Sequence, residues 1–171
     1  MDFETRKSLR DQIRKICEST IERLGYELIA VELSGDRAGP IVRLYIDRPG
    51  GVGIADCATV SRTVSPEIDV DDPLPNAYRL EVSSPGIDRP VERQQDFERF
   101  RDYRARVRMG PTSSRKRYKG VLQGLEDDHL QLLVGERLHL LPMEQVERVR
   151  LELTAEEYKQ LGDPMPTPQG G

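Results

Sequence analysis

RLEVSSPGIDRPV, residues 79–91, separates two kinds of sequence in this 171-residue chain. It starts as a strand, then runs through Ser83, Ser84, Pro85 and Gly86 into Asp88, Arg89 and Pro90. A Pro-Gly pair favours a tight turn, and serine hydroxyls satisfy backbone groups where a strand ends. Two readings are open. The stretch is a hinge stiffened by its prolines, or it is a turn that offers backbone N–H groups, hydroxyls and Arg89 to a partner's phosphate or carboxylate. Proline fixes its own φ and restricts the residue before it, so Pro85 and Pro90 are expected to bracket a stiff joint outside the cores.

Upstream of this stretch the apolar pattern changes period three times. Leu9, Ile13, Ile16, Cys17, Ile21 and Leu24 recur every three or four residues, and Gly25 is a natural stop, which predicts a helix. YELIAVEL (26–33) and IVRLYID (41–47) read as strands joined by an irregular polar turn. A second helix follows with Asp56 in its first turn and Ile54, Cys57, Val60, Ser61, Val64 and Ile68 on its inner face; Pro66 should kink or shorten its end. AYRLEV (77–82) is the third strand. The order α-β-β-α-β puts helices on one face of a small sheet.

Downstream, a short polar helix over 92–100 carries Phe97 and Phe100, and from Tyr103 the pattern is short strands. RARVRM (104–109), YKGVLQGL (118–125), HLQLLVG (129–135), ERLHLL (136–141) and VERVRLEL (146–153) are separated by turn residues, with LEDDHL a tight hairpin and LPMEQV a single helical turn. Five strands in so short a segment predict a small barrel, which leaves no exposed edges. The expected fold class is therefore α+β: an N-terminal α/β domain over 1–90, a small β-barrel domain over 91–155 entered by a short helix, and a disordered tail over 156–171.

Chemistry is scarce in the residue inventory. The two histidines, His129 and His139, sit as ordinary strand residues, and Ser84 is followed by Pro-Gly, which is no nucleophile elbow. A serine nucleophile needs a base and an oxyanion hole, and the sequence offers neither, so no catalytic residue is expected. Asp69, Asp71 and Asp72 lack the glycine and closing glutamate of a calcium loop, and PGGVG lacks the Lys-Ser/Thr of a phosphate loop. No metal and no cofactor are expected. Cys17 and Cys57 lie in apolar patterns and read as reduced core thiols. No apolar run approaches the ~20 residues of a spanning helix, and the N-terminus lacks the apolar stretch of a signal peptide, so the expected location is the cytoplasm.

Charge points elsewhere. The net charge is −4, yet residues 86–120 carry 11 basic and 5 acidic side chains, while residues 121–171 carry 4 basic and 10 acidic. Within that basic belt, strand alternation sends Arg104, Arg106 and Arg108 to one face of RARVRM. The loop behind it adds Arg115, Lys116, Arg117 and Lys119 around Tyr118. Cations beside an aromatic suit phosphates and a stacked base, so this belt is the candidate RNA-contacting surface. Ser83, Ser84, Pro85, Gly86, Asp88, Arg89 and Pro90 form the candidate joint and second contact surface.

The run from Tyr78 to Pro90, YRLEVSSPGIDRP, resembles the signature of the ribosome maturation factor RimP family. LGYELIAVE (24–32), Asp56-Cys57, the stretch from Val64 to Asp72 and RKRYKGV (115–121) resemble the same family, in order, over residues 8–153. Asp102 departs from it, standing where a glycine is expected, and so does the acidic segment after Leu153. The resemblance implies an SH3- or Sm-like C-terminal barrel and a non-enzymatic, monomeric assembly factor of the small (30S) ribosomal subunit. Its implied partners are ribosomal RNA and proteins near the decoding region, with the barrel meeting the twelfth small-subunit protein. The alternative from another class is a free-standing Sm-like regulator that binds single-stranded RNA as a ring; a hydrolase using Ser84 is more distant.

Overall fold

The computed structural model describes residues 1–161, and contacts divide the chain into two compact units. The first is Met1–Pro85 with the chain from Tyr158 added, and the second is Gly86–Glu157. The division falls between Pro85 and Gly86, inside the signature, ahead of the boundary expected after residue 90.

In the first unit, α1 (Phe3–Arg23) begins where the Asp2 carboxylate accepts the Thr5 N–H at 2.8 Å. That satisfies one of the four donors a helix start leaves open. Leu9, Ile13, Cys17 and Ile21 form its buried stripe, and Gly25 turns the chain at φ +96°. β1 (Glu27–Asp36) and β2 (Gly39–Asp47) then form an antiparallel hairpin, longer at the turn than the apolar pattern predicted. The register shifts between Leu28 and Ala30. This irregularity breaks the alternation, so Leu28 and Val31 share a core with Val42, Leu44 and Ile46, while Ile29, Ala30 and Tyr45 are buried as a separate cluster.

α2 (Ile54–Asp71) crosses over to β3 (Arg79–Ser83), which pairs parallel to β2, giving the order β1-β2-β3. Parallel neighbours require such a crossover, and α2 supplies it while burying Val60, Val64 and Ile68 in the shared core. Two expectations change here. Ile54 is 85% exposed, because it sits at the first helical position, before the buried stripe begins. Pro66 does not shorten α2: Val64 and Ile68 on either side are fully buried and hold the helix through to Asp71.

The second unit opens with the end of the signature laid antiparallel along a strand. Pro90 bridges Arg150, the Leu151 N–H donates to the Arg89 carbonyl at 2.8 Å, and the Val91 N–H donates to the Val149 carbonyl at 2.9 Å. After α3 (Gln94–Arg99) come β4 (Arg104–Met109), β5 (Arg117–Glu126), β6 (His129–Val134), β7 (Arg137–Pro142), a 3-10 turn (Met143–Gln145) and β8 (Val146–Leu151). All pair antiparallel in the order β7-β6-β5-β4-β8. No pairing among the described residues joins β7 to β8, so the ladder is a five-stranded antiparallel sheet without the closure expected of a barrel. The signature covers the free edge of β8. Asp127 and Asp128 hold φ at +50° and +58°, the left-handed pair that a two-residue hairpin between β5 and β6 demands.

Two parts of the signature contradict the surface-joint reading. Pro85 and Pro90 are both buried, because Pro90 belongs to the strip along β8. Arg89 is 1% exposed, with its guanidinium carbon 5.2 Å from the centre of the buried Phe100 ring, so it does not face a partner. The segment expected to be disordered from residue 156 starts as a helix, α4 (Ala155–Gln160), entered through Thr154 and Glu157, each bonding the other's backbone N–H. The remainder of that predicted tail, 162–171, lies outside the described residues.

Candidate nucleic-acid interface

β4 alternates strictly, with Ala105, Val107 and Met109 buried and Arg104, Arg106 and Arg108 exposed. Register then dictates what stands beside those arginines. On one side Arg106 opposes Lys119 and Arg108 opposes Arg117 on β5. On the other side Arg106 opposes Arg150 and Arg108 opposes Arg148 on β8. The result is a grid of six cations in two rows, Lys119–Arg106–Arg150 and Arg117–Arg108–Arg148. Strand geometry spaces neighbours within a row by ~4.8 Å and the rows themselves by ~6.7 Å. Like charges directly opposite one another destabilise a sheet, so such a grid needs anions over it.

The protein supplies some of them. Arg106 reaches Asp88 at 3.2 Å and Glu152 at 3.5 Å, Lys119 reaches Glu152 at 3.4 Å, and Arg108 reaches Glu147 at 3.6 Å. These pairs are solvent-screened and each contributes at most ~1 kcal/mol. Between the rows lies a cleft of about 650 Å³ whose lining holds seven cationic side chains and a single carboxylate, that of Asp88. Such a cleft chemically suits a chain of phosphates, since guanidinium groups bind phosphate oxygens through paired N–H donors.

The expected belt residues divide. Arg106, Arg108, Arg115, Arg117 and Lys119 all line the cleft. Arg104 is exposed on the same strand face one row further along, opposite Val121, and does not line it. Lys116 turns back: its ammonium donates to the carbonyls of Ser113 at 2.5 Å and Pro111 at 2.6 Å, tying up its own loop. Tyr118, expected to stack a base, already carries Arg115 at 4.2 Å from its ring centre and meets His139 edge-on at 5.2 Å. Arg148 and Arg150 escaped the sequence reading. Their signal was the alternation in VERVRLEL, hidden because the surrounding third of the chain is acidic on average.

The signature contributes unequally. Asp88 is its one residue in the cleft, with its carboxylate toward Arg106 and its backbone carbonyl accepting from Arg150 at 3.3 Å. Ser83, at the end of β3, donates its hydroxyl to the Ser84 carbonyl at 3.0 Å. Gly86 holds φ at +68°, a turn conformation glycine adopts without strain. Among the described residues no group of three or more His, Cys, Asp or Glu side chains is placed to hold a metal ion, and no helix is long and apolar enough to cross a membrane.

Comparison with known families bears on the first unit and the start of the second. Residues 16–88, from the middle of α1 to the cleft aspartate, match the family model described as the RimP N-terminal domain. Over those residues the chain carries a RimP N-terminal domain.

Proposed function

We propose that this protein is a non-catalytic assembly factor that binds immature small ribosomal subunits in the cytoplasm, as a monomer, and that its second unit contacts ribosomal RNA. The observation that carries the RNA contact is the two-row cation grid on β5, β4 and β8, with no comparable run of acidic side chains in the cleft. The match to the RimP N-terminal domain supports the ribosomal setting. Contact with a protein of the decoding region is part of the same reading, with the second unit curled in SH3/Sm-like fashion. The bend of β5 at Gly124, where φ is +100° beside a register shift, and the 3-10 turn between β7 and β8 favour that curl. The joint surface of Ser83 and Ser84 is a second contact in this reading.

Co-sedimentation of the full chain with immature and mature small subunits tests it. Retention on immature subunits is expected, reduced at least tenfold in a variant with Arg108, Arg148 and Arg150 changed to Glu. Equal retention of that variant would overturn the RNA contact.

One observation favours a different assembly. β7 is a free sheet edge carrying Leu138 and Leu140, 49% and 57% exposed. An Sm-like RNA-binding ring would pair such edges between copies. Sedimentation velocity separates the two, with a single monomeric boundary expected.

A further inference from the structure

We propose that Asp88 is a resident anion of the cation cleft, occupying the place of an RNA phosphate and displaced when RNA binds. The proposal rests on the reading of the cleft as an RNA-phosphate site and adds how that site is regulated.

Three observations point to it. Asp88 is the only carboxylate lining the cleft, and it engages the row Lys119–Arg106–Arg150 twice, by side chain and by backbone. Its backbone is fixed: the Arg89 carbonyl accepts from Leu151 at 2.8 Å, and the Ile87 carbonyl accepts from Leu153 at 3.3 Å. Its side chain remains 58% exposed, so a rotamer change can carry the carboxylate into solvent without moving the chain. Glu152 also reaches Arg106 and Lys119, but it sits on β8's own continuation, is 29% exposed and lies outside the cleft lining.

The electrostatics follow. Cations held a strand spacing apart repel, and an anion among them relieves that repulsion while no ligand is bound. An incoming phosphate offers Arg106 a charge-assisted pair of hydrogen bonds in place of the single contact to Asp88. Until Asp88 swings away, it repels that same phosphate. A lone phosphate gains too little to displace it; a polynucleotide that also engages the second row, Arg117–Arg108–Arg148, gains more. The signature aspartate thus sets a threshold that favours phosphate chains over free anions.

The test measures binding of a labelled single-stranded RNA oligonucleotide to the full chain by fluorescence anisotropy across a salt series, with inorganic phosphate as a competing probe. Asp88→Asn should tighten RNA binding ~3- to 10-fold at low salt, by removing one repulsive charge near the ligand. It should also make the salt dependence steeper by up to ~0.7 in log–log slope and let inorganic phosphate compete at lower concentration. In a chain carrying Arg106→Gln and Arg150→Gln, binding should weaken and Asp88→Asn should lose its effect. If Asp88→Asn leaves RNA affinity unchanged or lower while that double variant weakens it, the cleft reading stands and the resident-anion proposal falls. If the double variant binds RNA normally, both fall. Should Asp88→Asn lose its cooperative melting transition, the wild-type chain still decides: the side-chain carboxyl carbon resonance of Asp88 must shift on RNA titration, and an unmoved resonance overturns the proposal.

Discussion

Asp102 holds φ at +74°, where its N–H donates to the Leu122 carbonyl at 2.8 Å. Left-handed backbone costs an ordinary residue ~1–2 kcal/mol and glycine little, with aspartate between. Asp102→Gly should therefore keep stability within ~1 kcal/mol of the parent, and Asp102→Val should lose about 2 kcal/mol, read from denaturant midpoints. Gly120 is constrained by space instead. A Cβ there would sit 2.4 Å from the Leu133 carbonyl oxygen, a backbone atom that cannot step aside, so Gly120→Ala should cost roughly 2 kcal/mol or more by forcing β5 from β6. The thiols give a pH test. Burial pushes the Cys17 thiol up to about 12, and burial beside Asp56 also raises Cys57. Both should stay protonated and alkylate slowly in the native protein at pH 8, Cys17 the slower because it is fully buried. The Cys17 contribution to stability is whole below its unfolded value of 9.0 and is lost as pH rises from there toward about 12.

At the scale of elements, the start of α2 depends on one side chain. Gly53 has no side chain with which to cap the helix, and the Asp56 carboxylate instead accepts the Gly53 N–H at 2.8 Å. It also accepts the Tyr26 hydroxyl and pairs with Arg48 at 3.2 Å, so it joins the turn before β1, the loop after β2 and α2. The Gly53 N–H, the Tyr26 hydroxyl and the Arg48 charge hold its carboxyl below the usual range. That stabilisation is present above the unfolded carboxyl value and is lost as pH falls through the lowered folded one. Asp56→Ala should destabilise the first unit by ~1–2 kcal/mol at pH 7 and flatten its acid transition. The strip along β8 is the second unit's counterpart. Since Pro90 is buried and paired with Arg150, Pro90→Gly should lower that unit's own stability, seen as faster hydrogen exchange of the Leu151 amide.

For the whole molecule, the distribution of charge outweighs its sum. A chain of net charge −4 presents seven cations around one cleft, because two basic strands and the basic end of a third are brought into register. Binding to RNA should weaken steeply with salt, by a log–log slope of about −0.7 per phosphate neutralised on a single strand. Changing Arg115 and Arg117 to Glu should reduce slope and affinity together. Lys116→Gln should instead act on loop stability, since its ammonium is spent on Pro111 and Ser113. Anisotropy titrations at several salt concentrations distinguish these effects.

The sequence by itself determined the elements: the stripe of α1, the strict alternation of β4, the Asp127-Asp128 turn and the strand that opens the signature were all legible as local patterns. Local patterns are visible because helix and strand periods and turn conformations are fixed by neighbouring residues. Five of the seven cleft cations were legible in the same way, as a basic belt. The tertiary structure alone decided the rest. Nothing local says that β3 runs parallel to β2, or that the end of the signature lies along β8 and takes Arg89 inside. Nor does the belt announce Arg148 and Arg150, which come from an acidic third of the chain and reach the cleft only through the pairing of β8 with β4. Strand partnership is chosen by burial and hydrogen bonding between residues far apart in the chain, so a site built across strands exists only once those partners have met.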